Sequence, residues 1–180
     1  MDITYRPRRL RRSDALRSMV RENILKPSDF IYPLFVHDND GIDPISAMPG
    51  ANRWSIDSLI REVERAWELG IRCVVLFPKI DESLKSEEAE ESFNEKGLIP
   101  RAIKSLKAAI PEMTIMTDVA LDPYSCDGHD GIVSSTGEIL NDQTIENLCR
   151  KAVVQAQAGA DLIGPSDMMD GRVGAIREAL

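Results

Sequence analysis

The residues of this chain predict a parallel α/β fold, and three observations carry that expectation. Four short apolar runs, Ile31–Val36, Cys73–Phe77, Thr114–Leu121 and Asp161–Gly164, read as buried strands, and the unbroken Cys73–Phe77 run as one covered on both faces. Each is followed by a segment with apolar residues at helical spacing, so the order is β-α four times over. Two joints repeat one another, Trp67–Phe77 and Gln157–Ile163, each passing from helix through glycine to strand. A doubly wound sheet and a (β/α)8 barrel both satisfy this order. No phosphate-binding glycine fingerprint follows the first strand, and the unusual residues gather at strand ends, where barrel enzymes keep their chemistry. The barrel is therefore favoured. A full barrel takes about 250 residues, so residues 29–180 hold about four of its units behind an N-terminal arm at residues 1–28.

The elements follow in order. Pro33 weakens the first strand, because proline cannot donate to a ladder. Ser55 is placed to cap a helix carrying Ile56, Leu59, Ile60, Val63, Ala66 and Trp67, with Gly70 at its C′ position. Asp81–Gly97 is acidic and polar, hence a long surface loop. A second helix is expected from Pro100, a good first helical residue, to Ile110. Asn141 or Asp142 caps a third, with Ile145, Leu148, Cys149, Ala152, Val153 and Ala156 on one face and Gly159 ending it. Arg172–Leu180 begins another.

Composition sets the class. A hydrophobic fraction of 43% and a charged fraction of 29% are those of a soluble globular domain. No apolar stretch is long enough for a membrane span, and the basic N-terminus lacks the apolar core of a signal peptide. Cys73, Cys126 and Cys149 are odd in number and far apart, which fits a reducing compartment better than a disulfide framework. Residues 1–26 carry eight basic side chains against three acidic ones, a local +5 that leaves −13 on the rest of a chain whose total is −8. A basic arm on an acidic body can bind nucleic acid or dock on a second copy, or it can be a solvated tail. Docking is favoured, since the arm has too few aromatics for base stacking.

The densest chemical cluster is Asp118, Asp122, Asp127, His129 and Asp130 after the third strand. Asp118 and Asp122 are an even number of residues apart, so on an extended strand they project to one side. Oxygen donors in this number suit a hard cation such as Mg²⁺, or a monovalent ion, rather than zinc. Turn-forming aspartates are the plainer explanation, but a carboxylate inside a buried strand needs a partner or a purpose. His129 reads as a loop hydrogen-bonder and Cys126 as a small filler. Lys79 stands past a strand end, where a Schiff-base lysine can occur but a solvated one is commoner. Ser166, Asp167, Asp170 and Arg172 lie in a loop able to bind a polar substrate. Helix capping by Asp170 is the alternative there.

Thr117-Asp-Val-Ala-Leu-Asp-Pro-Tyr-Ser-Cys-Asp-Gly-His-Asp-Gly131 and Pro165-Ser-Asp-Met-Met-Asp-Gly-Arg172 together resemble the signature segments of the porphobilinogen synthase (5-aminolevulinate dehydratase) family. The likeness continues through Met48-Pro-Gly, Leu76-Phe-Pro, Leu84-Lys-Ser and Gly97-Leu-Ile-Pro-Arg-Ala. It implies a (β/α)8 barrel whose arm wraps a neighbouring subunit in homo-oligomers, octamers or hexamers. It also implies a cytoplasmic (bacterial) or plastid hydro-lyase of tetrapyrrole synthesis for haem and chlorophyll, which condenses two molecules of 5-aminolevulinate into porphobilinogen with loss of water. Neither nucleic acid nor membrane is an expected partner.

The resemblance also implies roles. Asp118 matches an active-site aspartate that handles the substrate amine or a proton, and Ser166 matches a serine near the active site. Zinc-dependent members hold their metal with three cysteines, whose positions are taken here by Ala120, Asp122 and Asp130; this is the pattern of the aspartate-rich, magnesium-responsive branch. Asp122 and Asp130 are the expected metal ligands and Mg²⁺ the expected cofactor. Cys126 stands where that branch carries serine or threonine. The family's Schiff-base lysines match no lysine of residues 1–180. The chain alone is thus expected to be inactive, with its first and fourth strands as open edges prone to association. A non-catalytic half-barrel that joins or modulates full-length oligomers is the competing expectation, and a Schiff-base aldolase built on Lys79 a third.

Overall fold

The computed structural model describes residues 3–180, so Met1 and Asp2 of the arm lie outside the described residues. Its strands are β1 (Ile31–His37), β2 (Ile42–Pro44), β3 (Asn52–Trp54), β4 (Cys73–Lys79), β5 (Thr114–Val119) and β6 (Leu162–Pro165). Its helices are α1 (Asp14–Met19), α2 (Ile56–Glu68), α3 (Leu98–Ala109), α4 (Asn141–Ala158) and α5 (Arg172–Ala179). The strands form one sheet in the order β2-β3-β1-β4-β5-β6. β1, β4, β5 and β6 run parallel and adjacent in chain order, with α2, α3 and α4 as the crossovers between them. This is the succession of the first four units of a (β/α) barrel.

Strand alternation gives the two faces different fates. Leu34, Val36, Val74, Leu76, Ile115, Thr117 and Val119 point toward the helices and are sealed from solvent. All but Thr117 pack in one hydrophobic core with Leu59 and Val63 of α2, Ala102, Ile103 and Leu106 of α3, and Leu148 and Ala152 of α4. Each such Leu or Ile contributes about 1.5–3 kcal/mol by leaving water. The residues between them face the other way and remain partly or fully exposed, Ile31 at 48%. On that face the rings of Phe35 and Phe77 meet at 5.7 Å between centroids.

Helix ends follow local chemistry. The Ser55 side chain accepts from the Ser58 N–H and starts α2, and Gly70 closes it with φ at 92°, a conformation that strains other residues. α3 begins earlier than Pro100, at Leu98 behind Gly97. Pro100 then falls at its third position, where the first-turn N–H has no helical partner to lose. Neither Asn141 nor Asp142 caps α4; the N-cap is Leu140. Asn141 is instead drawn sideways: its Oδ1 accepts from the Asp170 N–H at 2.8 Å and its Nδ2 donates to the Asp170 carbonyl at 3.3 Å. That pins the loop before α5.

Two features depart from the apolar pattern. The short polar strands β2 and β3 lack the hydrophobic run that marks a strand. They form through main-chain pairing, β3 parallel to β1 at Phe35 and Val36 and β2 antiparallel to β3, with Arg53 paired to Asp43 at 3.0 Å. The first strand is therefore not a bare edge, although β6 is. Pro33 lies in the half of β1 that β3 does not reach, where a missing donor is tolerated. α4 is also rotated from the expected face. Its buried stripe is Thr144, Asn147, Leu148, Lys151, Ala152 and Gln155, while Ile145, Cys149, Val153 and Ala156 are only half-buried. Polar groups occupy the inner stripe because they reach main-chain atoms of neighbouring loops: Thr144 Oγ1 accepts from the Ile132 N–H and donates to the Leu140 carbonyl, and Asn147 donates to the Glu88 carbonyl.

Candidate active site

The open face of the sheet ends in a concavity of about 420 Å³, lined by Ile31, Pro33, Val75, Phe77, Met116, Asp118, Gly164, Pro165 and Ser166. Apolar side chains form its floor, and Asp118 and Ser166 are its polar groups. Asp118 is the penultimate residue of β5 and lies in register with Gly164 of β6. A Cβ on Gly164 would come within 2.6 Å of the Met116 side chain and 3.2 Å of the Thr117 carbonyl. Glycine there lets β6 approach β5 closely.

Burial is the main force on Asp118, and it holds the carboxyl above its usual range. The charges of Asp122 and Asp130 push the same way, while Lys151 and a hydrogen bond from Ser166 oppose them. Asp122 is also raised, first by loss of hydration and then by the charge of Asp130. Its residue surface reaches solvent, but the groups packed around the carboxylate strip part of its water. The structure thus brings Asp118, Asp122, Asp130 and Ser166 into one electrostatic neighbourhood. The strand does not do this by alternation, because β5 stops at Val119. Asp122 is carried by the turn that follows, held by the Tyr124 and Ser125 N–H groups donating to the Leu121 carbonyl at 2.8 and 3.0 Å.

Lys151 is the functional candidate that the sequence reading missed. Its side chain is fully buried; its ammonium donates to the Ala120 carbonyl and lies 4.6 Å from the centroid of the Tyr124 ring. Burial presses its pKa down to about 8, against the pull of Asp118 and Asp122. Tyr124 is buried too, and its hydroxyl is raised well above its ordinary value by burial. The available signal was a lysine in line with Thr144, Leu148 and Gln155 at helical spacing.

Other candidates resolve differently. Lys79 donates to the Ile80 carbonyl at 3.3 Å, sits 3.5 Å from Glu82 and is half exposed; it is a solvated strand-end lysine. His129 accepts the Gly131 N–H through Nδ1 at 2.9 Å, as a loop hydrogen-bonder should. Cys126 is exposed rather than a filler, since the turn that buries Tyr124 and Ser125 leaves the next residue outside. Asp170 does not cap α5, which begins behind Gly171 at φ 82°. Asp167 organises that loop instead: Oδ1 accepts from the Met169 N–H at 2.7 Å and Oδ2 lies 3.0 Å from Arg172 Nε.

Residues 4–180 match the family described as delta-aminolevulinic acid dehydratase. The chain belongs to that family. It is 56% identical over 182 residues to the chloroplastic delta-aminolevulinic acid dehydratase of Glycine max, covering 100% of this chain and 44% of that one. With the chloroplastic relative of Chlamydomonas reinhardtii the identity is 54%, over 99% of this chain and 46% of the other. The crystal structure of the family member from Toxoplasma gondii ME49, in complex with the reaction product porphobilinogen, superimposes with a TM-score of 0.96 at 55% identity, covering 99% of this chain and 51% of that chain. The chain thus spans about half the length, or less, of the relatives it matches, and its sheet corresponds to part of the (β/α) barrel found in the family.

Proposed function

We propose that residues 29–180 form the first wall of a porphobilinogen synthase active site, in a protein that condenses two 5-aminolevulinate molecules into porphobilinogen with loss of water. The observation that carries this reading is Asp118, a half-buried carboxyl with a raised pKa beside Ser166 at the rim of an otherwise apolar hollow. A carboxyl raised in this way is better matched to taking up and returning a proton than an ordinary aspartate. In the condensation it takes up and returns protons as the substrate's amine and ketone carbons change bonding, and the Ser166 hydroxyl orients it. The apolar floor excludes water from the reacting carbons. The family's Schiff-base lysines match no lysine of residues 1–180; in this reading the facing wall of the barrel supplies them.

The family is one of metal-dependent lyases, and the donors here suit a hard ion. Asp122 and Asp130 offer carboxylate oxygens, and Ala120 offers no side-chain ligand where zinc-dependent members have a thiolate. Among the described residues no three His, Cys, Asp or Glu side chains are assembled as a metal group. Mg²⁺ keeps several waters and takes one or two carboxylates. Asp122 and Asp130 would hold it, and it would supply positive charge near the developing anions of the condensation.

The remaining readings are assembly and location. The arm lies almost wholly in solvent, with Ile3, Tyr5, Leu10, Met19, Ile24 and Leu25 exposed among its arginines. It docks on the acidic body of a second copy, giving a homo-oligomer, octamer or hexamer. No helix among the described residues is long and apolar enough to cross a membrane. The chloroplastic relatives support a plastid setting, with the bacterial cytoplasm as the other. The deciding experiment is incubation with 5-aminolevulinate of the polypeptide that carries this sequence, at its native length. Formation of the pyrrole, lost on Asp118→Asn, is expected. A folded protein of native length that makes none, yet joins synthase oligomers, favours the non-catalytic half-barrel.

A further inference from the structure

We propose that Lys151 is a built-in cation of the Asp118–Asp122–Asp130 cluster and that, from behind the end of β5, it sets how tightly Asp122 and Asp130 take a divalent ion. This rests on the proposed magnesium site and concerns a residue to which that site gives no role.

Three observations point to it. The side chain of Lys151 is fully buried, and no acidic group pairs with it directly among the described residues. An ammonium in that position is costly unless something nearby compensates. Its contacts are the Ala120 carbonyl and the face of Tyr124 at 4.6 Å, both neutral groups. Ala120 lies midway in sequence between Asp118 and Asp122, so the ammonium is fastened to the stretch of main chain that carries both aspartates. Among the described residues, the charges that act on it appreciably are those same two carboxylates, and it in turn offsets their mutual repulsion.

The consequence is competition. A divalent ion at Asp122 and Asp130 is attracted by charge that Lys151 has already partly neutralised, and it meets the ammonium as a like charge in a poorly hydrated place. Such an interaction is screened far less than one between surface groups. Lys151 therefore weakens ion binding while keeping the cluster tolerable without an ion. A lysine serving only to tie α4 to the end of β5 would affect stability alone.

The test is calorimetric titration of Mg²⁺ into the full-length polypeptide at pH 7 without substrate, comparing the native protein with Lys151→Met and Lys151→Arg, each also combined with Asp122→Asn. Lys151→Met is expected to bind Mg²⁺ about tenfold more tightly, Lys151→Arg to match the native protein, and Asp122→Asn to abolish the gain. A Lys151→Met protein that binds Mg²⁺ no more tightly than the native one, or a gain that survives Asp122→Asn, overturns the proposal. If thermal melts show Lys151→Met to be unfolded, Lys151→Gln, which still donates to the Ala120 carbonyl, carries the same comparison. Pyrrole formation by the native protein tests the synthase reading separately, because the titration needs no turnover.

Discussion

Tyr32 on β1 donates its hydroxyl to Glu62 on α2 at 2.7 Å, and Glu62 also takes two hydrogen bonds from Arg65, at 2.9 and 2.6 Å. Glu62 is only 7% exposed, so its charge depends on these partners. Arg65 is the main reason its carboxyl is held below the ordinary 4.5. A depressed carboxyl stabilises the fold above its unfolded value and loses that contribution as pH falls through the depressed one. Tyr32 is pushed up from 10.0 to about 12, chiefly by burial. Its contribution is whole below pH 10 and is lost as pH rises through about 12. Glu62→Gln should cost about 1–3 kcal/mol at neutral pH, with thermal melts of mutant and native protein converging in acid. Parallel curves from neutral to acid pH would contradict this.

Asp118 is the residue whose loss should matter most for chemistry. Asp118→Asn in the full-length polypeptide is expected to lower kcat by about 10²–10⁴. The acid limb of the native pH–rate profile should lie above the ordinary carboxylate range, in keeping with the raised carboxyl, and should vanish in the variant. Steady-state rates of pyrrole formation across pH measure both.

Asp122 and Asp130 should act on the ion. Asp122→Asn and Asp130→Asn are each expected to weaken Mg²⁺ by about tenfold or more, read by calorimetry on folded protein. An affinity equal to the native protein's in both variants would place the ion elsewhere.

Residues 1–180 expressed alone should neither form the pyrrole nor remain monomeric. β6 has an unpaired edge, and Ile31, Pro33, Val75, Phe77 and Met116 line a face open to water, two features that invite association. Sedimentation velocity over a range of concentrations measures this. A concentration-independent monomer would refute it.

Core substitutions offer a control that spares the site. Ile103 of α3 is fully buried between helix and sheet, and Ile103→Ala should cost about 2–5 kcal/mol in denaturant unfolding. Its effect on Mg²⁺ affinity should be nil while the protein is folded.

Much of this was readable in one dimension. The unbroken apolar run at Cys73–Phe77, the cap at Ser55 and the glycines at positions 70 and 159 express short-range rules, so β4, α2 and the C-terminal end of α4 were foreseen. β2 and β3 were not: Ile-Asp-Pro and Asn-Arg-Trp have no hydrophobic run, and only main-chain pairing, β3 with β1 and β2 with β3, makes them strands. The face of α4 was misjudged for a related reason. Hydropathy assigns Lys151 and Gln155 to water, whereas a backbone carbonyl and an aromatic ring drew Lys151 inward.

The amino-acid order by itself determined the β-α succession, the aspartate-rich segment after β5 and the family motifs, because periodicity and local residue chemistry act between near neighbours. Tertiary structure alone decided that Asp122 reaches Asp118 through a turn rather than along a strand, and that a lysine 31 positions on from Ala120 delivers an ammonium behind them. The field felt by a buried charge depends on distance through space and on lost water, and neither is written in sequence separation.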